Sequence, residues 1–129
     1  MKILIVDSSA LIIERLQDIL TESDKITAVY GTVSYNDCMN FFRKISPGVV
    51  LIDSSLPGNT CIDLVKVIKT ENDQISVIVM LNGEEEAIQE KCKSSGADLF
   101  FDKYHEFEKI PTAINRIIAE KTEEQIYEK

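Results

Sequence analysis

The sequence predicts a doubly wound parallel α/β sheet, and three observations predict it. Five short apolar runs recur along the 129 residues. Each is mostly continuous rather than alternating, as strands covered on both faces are. An amphipathic stretch of helical period follows each run, and strict βα alternation of this kind folds as a parallel sheet between helical layers. The length suits one domain with one ordinary core.

Taken in order, the first run is Lys2–Val6, followed by a helix from about Ser9 to Glu22 with Ile12, Leu16, Ile19 and Leu20 on one face. The second run, Ile26–Val33, precedes a helix marked by Met39, Phe41 and Phe42. That helix is opened by Ser34, with Asp37 three residues on as in an N-terminal cap. Val49–Ile52 leads to a helix carrying Cys61, Leu64, Val65 and Ile68, with Thr60 and Asp63 as its expected capping box. Ile75–Leu81 leads to the weakest helix. Glu84, Glu85 and Glu86 suit its positive N-terminal end, only Ala87, Ile88, the Lys91 stem and Cys92 could form its buried stripe, and Gly96 would end it. Ala97–Phe101 precedes the clearest helix, where Ile110, Ala113, Ile114, Ile117 and Ile118 keep one face and Pro111 suits the first turn.

Composition narrows the function. A net charge of −8 and a pI near 4.6 argue against non-specific nucleic-acid binding, because phosphates would be repelled over most of the surface. No apolar run approaches the roughly 20 residues that cross a bilayer, and MKILIVDSSA is not a secretory leader. Cysteines at 38, 61 and 92 contain no CxxC, which reads as reduced thiols in a cytoplasmic protein; Cys61 is expected to be a buried, inert thiol on the third helix, with a redox-active thiol near the site as the alternative.

In doubly wound sheets, chemistry gathers beyond the carboxyl ends of the strands. The residues there are Asp7-Ser8-Ser9, Asp53-Ser54-Ser55, Leu81-Asn82-Gly83 and Asp102-Lys103. In a 2-1-3-4-5 strand order, Asp7 and Asp53 converge with Lys103 beside them. Two hard carboxylates suit Mg²⁺. A carboxylate that attacks phosphorus, with a lysine neutralising phosphoryl oxygens, suits phosphoryl transfer. Any one of these residues alone would be an ordinary turn former or cap; the combination points to a site.

KILIVDSSALI, VVLIDSSLPGNTCIDL, VIVMLN and GADLFFDK, in this order and spacing, resemble the motif blocks of the response-regulator receiver domain over nearly the whole chain. The resemblance implies a flavodoxin-like (βα)5 fold, with residues 1–122 as receiver and 123–129 as a helix end or frayed tail. It implies a phosphoacceptor at Asp53 and a phosphoryl-contacting lysine at Lys103. Mg²⁺ would be held by Asp7, Asp53 and the backbone carbonyl of Ser55, whose side chain matters little there. Phe100 falls at the aromatic switch position.

Two departures touch that chemistry. Ser8 stands where the family usually has a second metal-binding acid. A carboxylate 4 Å from a divalent ion contributes roughly 8 kcal/mol at an effective dielectric of 20 before desolvation, so Mg²⁺ is expected to bind weakly, with Asp7 an outer-sphere partner. Ser8 would otherwise simply cap the first helix. Leu81 stands where a Thr or Ser hydroxyl usually bonds the phosphoryl group, a charge-assisted bond worth about 1.5–3 kcal/mol; Asn82 could substitute only if the strand end shifts by one residue. His105 is expected at the surface or in a cap.

The implied function is a single-domain response regulator, not an enzyme. It would accept a phosphoryl group on Asp53 from a histidine kinase or phosphotransfer protein and signal through a downstream protein partner, with no nucleic acid or membrane insertion. The alternative is a phosphorylation-independent pseudo-receiver acting as a binding module. A flavin carrier on the same architecture is disfavoured, since no glycine cradles a phosphate after the first strand and Asp7 would repel one.

Overall fold

The computed structural model describes residues 1–83 and 86–127, with side chains described through residue 122. Five strands and five helices alternate: β1 (Lys2–Val6), α1 (Ala10–Leu20), β2 (Ala28–Thr32), α2 (Tyr35–Ile45), β3 (Val49–Asp53), α3 (Thr60–Glu71), β4 (Ser76–Leu81), α4 (Glu86–Ser94), β5 (Leu99–Asp102) and α5 (Lys109–Tyr127). All strand pairs are parallel, in the order β2-β1-β3-β4-β5. This is the flavodoxin-like arrangement expected from the sequence.

The continuous apolar runs are explained by burial on both faces. Leu4, Val6, Val50, Ile52, Val77 and Val79 pack under α2, α3 and α4, together with Cys38, Phe42, Leu64, Ile68 and Cys92. The alternate residues, Ile3, Ile5, Val49, Leu51, Ile78 and Met80, pack under α1 and α5 with Leu16, Leu20, Ile110 and Ile114. Burial of each large aliphatic side chain stabilises the fold by about 1.5–3 kcal/mol. The edge strands β2 and β5 are half-buried. Gly31 on β2 lets α1 lie directly on that edge, since a Cβ there would collide with Ile13 Cγ2.

Helix ends show where local chemistry overrode the expected pattern. Ser9, not Ser8, caps α1, its hydroxyl accepting from Ile12 N–H. Ser34 caps α2 as expected, accepting from Asp37 N–H, whereas Phe41 is exposed and tilts against Tyr30. No Thr60–Asp63 capping box forms: Thr60 is already helical, its hydroxyl donates to Pro57 O, and Asn59 at the cap makes no side-chain bond. In α4 only Cys92 is buried, while Ala87 and Lys91 are exposed. Gly96 (φ +113°) closes α4 with paired bonds from Gly96 N–H to Lys93 O and Ala97 N–H to Cys92 O. The expectation for Glu84 and Glu85 lies outside the described residues. α5 continues past Thr122, the expected receiver boundary, to Tyr127.

Candidate functional site

Among the described residues, the buried polar side chains are Asp7, Thr32, Asp53, Ser54 and Lys103. All five lie at the carboxyl edge of the sheet, on or just beyond β1, β2, β3 and β5. Burying charge in such a place is costly unless it is paired, so their concentration at one edge marks a site built at the expense of apolar packing.

The sheet ladder itself positions them. Asp7 N–H donates to Thr32 O, carrying the β1–β2 pairing one residue beyond the strand. Ser54 N–H donates to Met80 O, and Lys103 N–H donates to Leu81 O. The backbone is thus held by its neighbours at the positions where Asp7, Asp53 and Lys103 project.

The Lys103 ammonium lies 2.6 Å from Asp7 Oδ2 and 3.5 Å from Asp53 Oδ2, with all three side chains almost fully buried. Asp7 Oδ1 accepts from Ser9 N–H at 2.8 Å, and among the described residues its Oδ2 meets no other donor than the ammonium. Burial pushes the Asp7 carboxyl above its ordinary value. The bonds from Lys103 and Ser9 pull against that rise without cancelling it, and the nearby Asp53 charge reinforces it.

Asp53 is held differently. Its Oδ1 accepts from Asn82 Nδ2 at 2.7 Å and from Ser55 N–H at 3.1 Å; its Oδ2 accepts from Ser55 Oγ at 2.9 Å. The Ser55 side chain joins the site, its hydroxyl occupying an Asp53 oxygen. One expectation is corrected here. The Asn82 amide reaches Asp53 without any shift of the strand end, since Leu81 still closes β4. The loop after the strand turns the Asn82 side chain back over the site while Leu81 stays in the core. Replacing Asn82 with alanine is expected to cost about 1.5–3 kcal/mol, the range for a hydrogen bond to a charged group. Urea unfolding should show a lower midpoint at unchanged slope; an unmoved midpoint would mean that Asp53 does not depend on this amide.

Ser8 is exposed, while Leu81 is buried in the same cluster against which half-buried Phe100 packs. The loop after Lys103 is tied locally. Asp102 Oδ1 accepts from the Tyr104 and His105 N–H groups and contacts His105 Nδ1, and Glu106 Oε1 accepts from Asp102 N–H. The His105 backbone bond is the main cause holding Asp102 below the ordinary carboxyl range. His105 is therefore at the surface in a turn, as expected, with its side chain 84% exposed.

For a metal, Asp7, Asp53 and the Ser55 carbonyl offer hard oxygen of the type Mg²⁺ takes. Among the described residues no cluster of three or more His, Cys, Asp or Glu side chains is arranged to hold an ion. The donors fit Mg²⁺ by type but fall one carboxylate short, and Lys103 already offsets part of their charge. No helix among the described residues is long and apolar enough to cross a membrane.

Comparison with known proteins agrees with this architecture. The chain is 25% identical over 118 residues to the response regulator GacA of Pseudomonas aeruginosa, covering 92% of this chain and 55% of that protein. It is 37% identical over 81 residues to a protein-glutamate methylesterase/protein-glutamine glutaminase of Methanosarcina mazei, covering 63% of this chain and 22% of that protein. The chain thus spans about half the length of the first relative and about a fifth of the second. Among solved structures, the signal receiver domain of a DNA-binding response regulator from Colwellia psychrerythraea superposes with a TM-score of 0.83 at 20% identity, covering 92% of this chain and 98% of that one. The response regulator domain of Thermotoga maritima CheB gives 0.76 at 23% identity, covering 93% and 94%. The family model for the response regulator receiver domain matches residues 3–115. Together with five parallel strands carrying buried Asp7, Asp53 and Lys103 at their carboxyl edge, that match shows that the chain belongs to the response regulator receiver domain family of two-component signalling.

Proposed function

We propose that this receiver domain accepts a phosphoryl group on Asp53 from a phosphohistidine of a histidine kinase or phosphotransfer protein. On this reading it passes the signal on by contact with a downstream protein. The observation that carries the reading is the Lys103 ammonium within 3.5 Å of Asp53 Oδ2 and 2.6 Å of Asp7 Oδ2. An Asp53 oxygen would attack phosphorus, forming a P–O bond as the P–N bond to the donor imidazole breaks. Lys103 would neutralise charge building on the phosphoryl oxygens. Asp7, Asp53 and the Ser55 carbonyl would hold Mg²⁺, which when bound supplies further positive charge to those oxygens.

A second reading has its own observation. Both Asp53 oxygens already accept bonds from Ser55 and Asn82, and Leu81 can offer a phosphoryl group no hydroxyl. These features suit a binding module that works without phosphorylation. Incubation with acetyl phosphate and Mg²⁺ separates the two. The first predicts that intact mass gains one acid-stable, hydroxylamine-labile phosphoryl group, lost in Asp53→Asn. No gain under conditions that phosphorylate another receiver domain would leave the binding module.

A further inference from the structure

Away from the carboxylate site, the fold brings together two thiols that lie 31 residues apart in the chain. Cys61 in the first turn of α3 and Cys92 near the end of α4 place their Sγ atoms 3.8 Å apart. Both residues are buried, at 3% and 0% exposure. We propose that Cys61 and Cys92 are a redox-responsive pair that closes to a disulfide and staples α4 to α3. The proposal is independent of any phosphoryl chemistry at Asp53.

A disulfide requires an S–S distance near 2.05 Å, so the sulfurs must approach by about 1.8 Å. The gap is short because the helices bearing them are packed on the same face of the sheet. Of the two, α4 is built to yield. It has nine residues, it buries Cys92 alone, and Ile88 is its only half-buried apolar contact with the core. Elements with so little burial open locally at low free-energy cost, which gives a small oxidant access to sulfurs that are covered in the closed fold.

The chemistry is thiol–disulfide exchange with a low-molecular-weight disulfide. One thiol loses its proton, and the thiolate attacks a sulfur of the small disulfide. A mixed disulfide forms and one small thiolate leaves, taking up a proton. The second cysteine, also deprotonated, then attacks the protein-bound sulfur, the Cys61–Cys92 bond forms, and the second small thiol leaves. Two electrons pass to the oxidant and two protons leave with its thiols. Cys38 serves as an internal reference. It is fully buried on α2, away from the yielding α4, the 3.8 Å sulfur contact joins the other two cysteines, and burial pushes its thiol up to about 12.

The staple would act on segments that bear on the carboxylate edge. α3 follows the loop that leaves Asp53, and α4 follows the loop that carries Asn82, whose amide holds Asp53. Closing the bond restrains α4 relative to both.

The test equilibrates the full chain in glutathione buffers of graded ratio, then alkylates the remaining thiols and maps them by mass spectrometry. The expected result is one intramolecular Cys61–Cys92 bond with Cys38 alkylated. Its midpoint should be at least about 30 mV more reducing than in the urea-unfolded chain, a tenfold gain in effective concentration. Amide exchange in α4 should slow in the oxidised form. Cys38→Ser should retain the bond; Cys61→Ser and Cys92→Ser should each abolish it. Circular dichroism reports whether either of those variants folds, and the wild-type and Cys38→Ser maps decide the matter if one does not. Stable glutathione adducts without a cross-link, linkage through Cys38, or no preference over the unfolded chain would overturn the proposal.

Discussion

Replacing Lys103 with methionine is expected to cost about 3–5 kcal/mol of stability near neutral pH, the loss typical of stranding a buried charge by removing its partner. The ammonium is the sole partner of Asp7 Oδ2 among the described residues and lies 3.5 Å from Asp53 Oδ2. Methionine fills a similar volume but leaves two carboxylates facing each other. The deficit should depend on pH in a definite direction. Burial already holds the Asp7 carboxyl above 3.8, even with Lys103 bonded to it. A group whose folded value lies above its unfolded value makes folding take up a proton. Its stabilising contribution is complete below the unfolded value and is lost as pH rises through the folded one. Without Lys103 the folded value rises further, so the variant should recover toward wild type below about pH 4 and fall behind progressively above it. Urea melts across that range measure the gap. A constant difference, or one below about 1 kcal/mol, would show that Lys103 does not carry the charge balance of the site.

Ser8→Asp is expected to raise Mg²⁺ affinity at least tenfold, equivalent to about 1.4 kcal/mol. Ser8 is exposed beside Asp7, so a carboxylate there can be solvated in the apo protein and turn toward an ion without being forced into the core. The third acid adds charge that Lys103 alone cannot offset. The metal-free variant should therefore be slightly less stable than wild type, and added Mg²⁺ should more than restore it by binding only the folded state. Calorimetric titration of the two proteins gives the affinities directly. Equal affinities would mean that the wild-type site is not short of a ligand.

Much of the fold was legible because burial on both faces leaves its mark on consecutive residues. Val49–Ile52 and Ile75–Leu81 were readable as strands for that reason, and each run overlaps the observed strand closely. The helix ends were harder. Ser9 and Ser34 cap as serines do, but which of two adjacent serines does so depends on where the backbone leaves the sheet. The site was legible as a set of strand ends, because parallel strands bring their last residues to one edge. Asn82 and the Ser55 hydroxyl escaped that reading, since each reaches Asp53 through a loop conformation that no spacing rule encodes.

The sequence by itself determined the alternation of strands and helices, the layering of the core, and the presence of Asp7, Asp53 and Lys103 beside Ser8 and Leu81 at strand ends. These follow from local periodicity and from which residue types close each run. Only the tertiary structure decided how the carboxylates share their donors and that Cys61 meets Cys92. Hydrogen bonds and sulfur contacts act over a few ångströms, so they depend on loop paths and helix packing that bring together residues far apart in the chain.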